Sequence, residues 1–159
     1  MIECCTGRDV DDIDSIINDA ARAYRGVIPA DRWHEPYMPR EELQREIDSG
    51  VVFWGFYQSA RLEGVMGLQD VKDVALIRHA YTRPAAQGRG VGSALLAHLV
   101  RQASRPLLVG TWKAATWAVR FYQRRGFRLV SDAEKVELLR AYWTVPERQI
   151  EESVVLSEK

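Results

Sequence analysis

The chain carries two different hydrophobic periods, one typical of helices and the other typical of strands. Apolar residues recur at helical spacing from Asp9 to about Tyr24, which predicts an amphipathic helix capped by Asp9. A second short helix is expected over residues 40–49, because Pro39 suits a first helical turn. Residues 27–39 contain three prolines and predict an irregular loop between the two helices.

From residue 51 onward the hydrophobic period changes from about 3.6 to about 2 residues, which favours strands. The remaining predicted elements are strands at 2–6, 51–58, 62–69, 74–82, 107–112, 127–131 and 153–157, and helices at about 91–100, 114–125 and 133–142. Their order predicts an α/β protein with a central mixed, mostly antiparallel sheet and helices on both faces. Residues 1–159 are expected to form a single domain.

Composition narrows the class of protein. The 159 residues include 22 basic and 22 acidic side chains and are 47% hydrophobic, which excludes collagenous, coiled-coil and largely disordered chains. No apolar run approaches the ~20 residues of a membrane span, and the N-terminus does not resemble a signal peptide, so we expect a cytoplasmic protein without membrane contact. Cys4 and Cys5 are adjacent and suit neither a disulfide nor a zinc site, so no metal is expected.

Charge is distributed unevenly along the chain. Residues 1–50 carry twelve acids against six bases, whereas residues 74–128 carry ten bases and no acid. A third of the chain without a carboxylate suggests a surface that meets an anion, although a solvated face balanced by acids elsewhere in the fold gives the same pattern. Nucleic acid is not the expected anion, because the whole chain is neutral and has no recognition motif.

A glycine-rich segment links the strand at 74–82 to the helix that follows. The segment reads Gln87, Gly88, Arg89, Gly90, Val91, Gly92 and Ser93. Glycines let backbone N–H groups turn inward, and the helix N-terminus adds unpaired N–H groups, so the segment predicts a phosphate cradle. It matches neither Gly-x4-Gly-Lys-Ser/Thr of a P-loop nor Gly-x-Gly-x-x-Gly of a dinucleotide site, but it does match Gln-x-x-Gly-x-Gly.

Two motifs together carry a family resemblance. Gln87, Gly90 and Gly92 provide Gln-x-x-Gly-x-Gly, and residues 121–127 read Phe-Tyr-x-x-x-Gly-Phe. With these motifs the chain resembles the GNAT superfamily of acyl-CoA-dependent N-acetyltransferases over residues 1–156, with a motif core at about 74–128. The resemblance implies a GNAT-like fold and acetyl-CoA as cosubstrate.

The resemblance also implies which residues bind the coenzyme. Backbone amides of the glycine-rich segment would hold the pyrophosphate, and the end of the strand at 74–82 would pair with the pantetheine arm beside a gap in the sheet. The implied residues are Ala80, Tyr81, Thr82, Gln87, Gly88, Arg89, Gly90, Val91, Gly92 and Ser93. Arg124 and Arg125 are interpreted as solvated rather than as phosphate ligands.

Two residues are candidates for proton transfer. Tyr122 matches the tyrosine with which many family members protonate the departing thiolate, and the alternative is a tyrosine that packs on the sheet. No carboxylate lies on the strands where the family often places its general base, so His79 is the titratable candidate, because histidine accepts protons near neutral pH. The alternatives are a structural histidine, a water chain, or a carboxylate from elsewhere such as Glu35.

The acceptor is expected to enter under the loop at 24–39. Trp33, His34 and Tyr37 would form one wall, and Asp31 and Glu35 would form a cation-attracting rim. The alternative is that Trp33 and Tyr37 only tie the loop to the core. The resemblance thus implies an enzyme in which a primary amine, on a small molecule or a peptide, attacks acetyl-CoA directly in a ternary complex. A coenzyme A-binding regulator without transferase activity is the alternative, and the last strand offers pairing across a homodimer.

Overall fold

Seven strands form one sheet in the computed structural model, which describes residues 1–158. In chain order they are β1 (Ile2–Cys4), β2 (Val52–Gln58), β3 (Arg61–Val71), β4 (Val74–Thr82), β5 (Leu107–Trp112), β6 (Phe127–Leu129) and β7 (Ser153–Glu158). They lie in the order β1-β2-β3-β4-β5-β7-β6, and only the β4–β5 pair is parallel. The predicted mixed, mostly antiparallel sheet is confirmed.

Six helices cover the two faces of this sheet. They are α1 (Val10–Ala21), α2 (Arg40–Asp48), α3 (Val91–Gln102), α4 (Thr116–Arg124), α5 (Asp132–Tyr142) and α6 (Glu147–Glu151). Because side chains alternate along a strand, neighbouring residues show which helices share a face. Ile77 packs with α3 and α4, whereas Leu76 packs with α5 and α6. Likewise Met66 faces α3, whereas Val65 faces α1 and α2.

Some local details differ from the predictions; for example, β1 ends at Cys4 rather than at residue 6. Asp9 does not cap α1 with its side chain; Thr6 caps a preceding 3-10 turn, and the Asp9 carboxylate accepts the Thr6 N–H at 2.8 Å in a capping box. The α6 helix was not predicted, because its five residues are too few to show a helical period. The β6 strand ends at Leu129 rather than at residue 131. Among residues 1–158, no helix has the length and apolar character to cross a membrane.

Candidate active site

The candidate site lies where β4 and β5 separate. Residues 75–77 pair with residues 107–109, and no further pair joins the two strands although both continue. The β4 strand also contains a β-bulge here. Arg78 and Tyr81 are three residues apart, whereas their partners on β3, Gly67 and Val65, are only two residues apart. His79 lies in this bulge with a φ of 54°, a left-handed conformation that a histidine rarely adopts. The bulge and the separation leave an opening in the sheet.

One side of this opening is a groove of about 650 Å³, here called the coenzyme groove. Nine of the ten residues expected to bind coenzyme line it: Ala80, Tyr81, Thr82, Gln87, Gly88, Gly90, Val91, Gly92 and Ser93. Arg89 is the exception, because its side chain is exposed and does not line the groove. Trp117 also forms part of the wall and stacks on Tyr24 with ring centroids 6.1 Å apart.

The floor of the coenzyme groove is built from main-chain groups. Gly88 and Gly90 both have a φ of 80°, and no atom lies within 4 Å of where a Cβ would stand, so these glycines are required by conformation rather than by crowding. Gly90 precedes α3 without any side-chain cap, which leaves the first N–H groups of that helix free to bind an anion. A Cβ at Gly92 would lie 3.3 Å from the Phe121 ring, so glycine there lets α4 approach.

Arg125 also lines the coenzyme groove, where the sequence analysis placed a solvated side chain. Its Nε donates to the Ser93 hydroxyl at 2.9 Å, its Nη2 donates to the same oxygen, and the guanidinium lies 4.0 Å from the centre of the Phe121 ring. These contacts hold a cation beside the free N–H groups of α3. A guanidinium in this position suits a phosphate group.

The acid-free third of the chain proves to be partly neutralised by the fold. Five of its ten bases form ion pairs with acids from other segments, namely Arg78, Arg83, Arg105, Lys113 and Arg128. Arg125 is one of the five that form no ion pair among residues 1–158. Pairing with acids from other segments therefore accounts for half of the ten bases. The unpaired half includes Arg125, which lines the coenzyme groove.

The other side of the opening is a cavity of about 390 Å³, here called the acceptor cavity. Five residues line both spaces: Tyr24, Ala80, Tyr81, Ala118 and Tyr122. The remaining walls come from segments far apart in the sequence, including α2, the end of β5 and the region around Trp143. The two spaces therefore meet at the bulge of β4 and at the side of α4.

Tyr122 is buried but its hydroxyl group is free. The ring is 4% exposed and packs edge-on against Phe121 and Phe127, with centroids 5.0 and 5.7 Å away. The hydroxyl has no hydrogen-bond partner among residues 1–158. Its oxygen is not fully buried, and because Tyr122 lines both spaces, the hydroxyl is accessible from the region that they share. Burial, with a smaller contribution from Tyr24, raises the pKa of Tyr122 above its usual value. The phenol is therefore protonated at neutral pH and can donate.

His79 contacts a carboxylate that the sequence analysis did not identify. Its Nε2 lies 2.9 Å from Oε1 of Glu46, on α2, and the same oxygen accepts from Nη2 of Arg78 at 2.8 Å. Burial raises the pKa of Glu46, but the hydrogen bond from His79 and the charge of Arg78 outweigh it, and the net pKa is below the usual value. All three residues line the acceptor cavity. Glu46 is therefore a carboxylate at neutral pH.

The expected acceptor residues divide between the cavity and its surroundings. Tyr37 lines the cavity and its hydroxyl accepts the indole N–H of Trp112 at 2.8 Å. Trp33 stacks on Tyr37 at 5.8 Å and packs behind it without lining the cavity. Glu35 lies on the surface, 55% exposed, and pairs with Arg22 at 3.3 Å. Of the two carboxylates expected at the rim, Asp31 lines the cavity and Glu35 does not.

A carboxylate of the cavity that sequence reasoning missed is Glu42. It lies one turn before Glu46 on α2, lines the cavity, and has no hydrogen bond or ion pair among residues 1–158. The only available signal was helical spacing, since Glu42 and Glu46 flank Leu43, the buried residue of α2. Among residues 1–158 no three His, Cys, Asp or Glu side chains lie close enough to hold a metal ion.

Solved structures of acetyltransferases share this architecture. The PaiA N-acetyltransferase from Thermoplasma acidophilum, solved with coenzyme A, is 16% identical, covers 100% of this chain and 99% of its own, and has a TM-score of 0.73. The ribosomal-protein-alanine N-acetyltransferase from Brucella melitensis is 19% identical over 82% of this chain and 86% of its own, with a TM-score of 0.65. At these identities the likeness shows the fold alone.

N-acetylglutamate synthase from Neisseria gonorrhoeae, solved with coenzyme A and N-acetyl-glutamate, is 22% identical and has a TM-score of 0.66. It covers 99% of this chain, which spans only 34% of that protein. No curated protein sequence matches the chain. The family model described as "Acetyltransferase (GNAT) domain" matches residues 18–141, which include β4, the glycine-rich segment and Tyr122. Because this match covers well over half of the residues, the chain belongs to the GNAT acetyltransferase family.

Proposed function

We propose that this protein transfers the acetyl group of acetyl-CoA to a primary amine by direct attack in a ternary complex. The observation that carries the proposal is the opening between β4 and β5, where the coenzyme groove and the acceptor cavity share one lining. Two reactants held on either side of such an opening meet without a covalent enzyme intermediate. Holding them together lowers the barrier chiefly by removing their translational and rotational freedom.

On the coenzyme side, the fit rests on main-chain donors. The N–H groups from Gly88 to Gly92 and the guanidinium of Arg125 would hold the diphosphate of coenzyme A. The end of β4, at residues 80–82, is paired with β3 but not with β5, and its free edge would bind the pantetheine arm through the backbone. Acetyl-CoA supplies the activated thioester. An N–H group of the bulge would polarise the carbonyl oxygen of the thioester, as an oxyanion hole does.

Two side chains would manage the protons. His79 accepts the proton that the amine must lose as its nitrogen bonds to the carbonyl carbon. Tyr122 donates its hydroxyl proton to the sulfur as the carbon–sulfur bond breaks, which releases coenzyme A as a thiol. The free hydroxyl of Tyr122 and its raised pKa support this role, because an acid must remain protonated until the thiolate departs.

The acceptor would be a small molecule or a peptide end that carries a primary amine. A volume of about 390 Å³ suits a small ligand, and the aromatic residues Tyr37, Trp112 and Trp143 line it. Glu42 offers an unpaired carboxylate to an ammonium group. These features support an amine that enters as an ammonium ion. It must release one proton to solvent before its nitrogen can attack, and it gives up the second to His79 as the nitrogen–carbon bond forms.

The alternative is a coenzyme A-binding regulator that has lost transfer activity. Such a regulator would need the groove but no proton donor or acceptor at the opening. The free Tyr122 hydroxyl and the His79–Glu46 contact favour the enzyme. The residues available for chemistry therefore exceed what binding alone requires.

A panel of amines distinguishes the two functions. Thiol release from acetyl-CoA is measured for small amines, amino acids and peptides, and each acetylated product is identified by mass spectrometry. We expect release that depends on one class of amine and falls sharply in Tyr122→Phe. Coenzyme A binding without thiol release across the whole panel would instead support the regulator.

A further inference from the structure

We propose that Glu46 is a positioning residue that holds His79 as its Nε2–H tautomer, so that Nδ1 is the nitrogen that takes the proton of the amine. The inference rests on the proposed acetyl transfer and goes beyond it by naming the atom and its support. A neutral imidazole can be a base through only one of its two nitrogens. Which nitrogen is free depends on the hydrogen bond that the other one makes.

The position of the His79 ring is fixed from several sides. The bulge of β4 turns the residue to a φ of 54°, and the ring stacks on Phe53 with centroids 6.0 Å apart. Its side chain is 14% exposed, and the Glu46 side chain is 17% exposed. Phe53 and Glu46 lie on β2 and α2, so three elements hold this imidazole. Little freedom is left for the ring to turn over.

The chemistry of Glu46 decides the tautomer. An ionised carboxylate has only acceptor sites, and Arg78 already donates to the oxygen that His79 contacts. A deprotonated Nε2 facing that oxygen would set two lone pairs against each other at 2.9 Å. Nε2 must therefore carry hydrogen. The lowered pKa of Glu46 agrees with this, because it keeps the carboxylate ionised.

The other nitrogen of His79 is open to the acceptor cavity. Nδ1 has no hydrogen-bond partner among residues 1–158. It is also not one of the buried unpartnered atoms of these residues, which are Arg32 Nε and His98 Nε2. Since His79 lines the acceptor cavity, the lone pair of Nδ1 is accessible from there.

This arrangement gives a balanced proton path. As the amine nitrogen bonds to the carbonyl carbon, its proton moves to Nδ1 and His79 becomes an imidazolium. The negative charge of Glu46, 2.9 Å away, stabilises that cation. Water then removes the proton from His79 and returns a proton to Tyr122, which restores both the base and the acid. Glu46 thus does the work of the carboxylate that residues 74–128 lack, without contacting the substrate.

The first test is spectroscopic and does not need an identified acceptor. Protein labelled with ¹⁵N-histidine is examined by long-range ¹H–¹⁵N correlation at mildly alkaline pH, and the three histidines are distinguished with His79→Gln. We expect His79 to show a protonated Nε2 and a bare Nδ1. Glu46→Met should give a mixture of tautomers, whereas Glu46→Gln, which keeps a carbonyl acceptor, should retain the pattern. A protonated Nδ1 in the wild-type protein overturns the inference.

The second test is kinetic and uses an amine that the wild-type protein acetylates. We expect His79→Gln to lower kcat roughly 100-fold, and Glu46→Met to lower it about tenfold with little change in KM. Glu41→Gln, an exposed change on the same helix, should leave both constants unchanged. Wild-type kinetics in a folded Glu46→Met protein would contradict the role of Glu46 while leaving acetyl transfer standing. Failure of the wild-type protein with every amine would instead remove the proposed function, and this inference with it.

Discussion

The two sides of the opening between β4 and β5 are built in different ways. The coenzyme groove takes ten of its lining residues from the stretch between Ala80 and Ser93, and the groups proposed to bind the anion there are mainly backbone N–H groups. The acceptor cavity draws on the loop at 24–38, α2, β4, β5, α4, α5 and the segment around Trp143, and the groups proposed for its chemistry belong to side chains. A site made from main chain leaves a local pattern of glycines in the sequence. A site made from side chains is assembled only by folding.

This difference predicts different responses to substitution. A change in the groove should alter coenzyme binding and leave the choice of amine intact. A change in the cavity should alter turnover or the affinity for the amine and leave coenzyme binding intact. Tyr122 lines both spaces, and its loss should lower turnover without changing either binding preference.

The largest effect is expected from Gly90→Asp. This change sets a carboxylate among the free N–H groups at the start of α3 and requires a φ of 80° from an L-residue. Coenzyme A at 100 times its Kd should stabilise the wild-type protein by about 2.7 kcal/mol, which raises Tm by roughly 5–10 °C. We expect the shift to vanish in the variant, as measured by differential scanning fluorimetry.

Gly26→Asp is the matched control for that experiment. Gly26 has a φ of 76°, has open space around it, and lines neither the groove nor the cavity. It should cost a similar backbone strain and keep the full Tm shift. A Gly90→Asp protein that is still stabilised by coenzyme A would show that the diphosphate does not bind at α3.

The second largest effect is expected from Tyr122→Phe. Removing the hydroxyl leaves the ring packed on Phe121 and Phe127 but takes away the proton donor, so kcat should fall about 100-fold. Stopped-flow or steady-state thiol release measures the change. Coenzyme A affinity should stay within about twofold, because the diphosphate contacts lie elsewhere. A fall in coenzyme affinity with kcat unchanged would make Tyr122 a groove residue rather than an acid.

The same contrast explains what the sequence could predict about the fold. β4 and β5 were predicted with their observed bounds, because each is an apolar run that continues into a polar or glycine-rich turn. The coenzyme groove was predicted from the spacing of the glycines in the segment at 87–93. α1 begins directly after Asp9, as predicted, but the Asp9 carboxylate does not cap this helix, because it accepts the Thr6 N–H in the capping box of the preceding 3-10 turn. Residue preference gave the position of the cap but not its hydrogen bond.

The acceptor cavity could not be predicted in the same way. Glu46 lies 33 residues before His79, and nothing in the local sequence pairs them. Glu35 was favoured because it lies in the aromatic loop, yet Arg22 holds it at the surface. Arg125 was taken for a solvated residue, because only the packing of α4 against α3 brings it to Ser93. These contacts depend on the relative placement of distant elements, which periodicity does not encode.

The third prediction concerns the unpaired carboxylate of the cavity. Glu42→Gln should raise KM for the amine about tenfold, because the ammonium group loses its charged hydrogen-bond acceptor, while kcat changes little. Initial rates at varied amine concentration measure the effect. Glu41→Gln, on the same turn but exposed, serves as the control. An unchanged KM would mean that the amine binds at another wall of the cavity.

The smallest effect is expected at the rim of the groove. Arg125→Gln should weaken coenzyme A binding about fivefold, because an exposed guanidinium contributes modestly to holding a phosphate, and added salt should reduce the difference between variant and wild type. Isothermal titration calorimetry at two salt concentrations measures the change in coenzyme A affinity. Arg124→Gln is the control: it removes the same charge from the neighbouring residue, whose side chain does not line the groove. Equal losses in both variants would indicate a general field of positive charge, whereas a loss at Arg125 alone would indicate a phosphate contact held by Ser93.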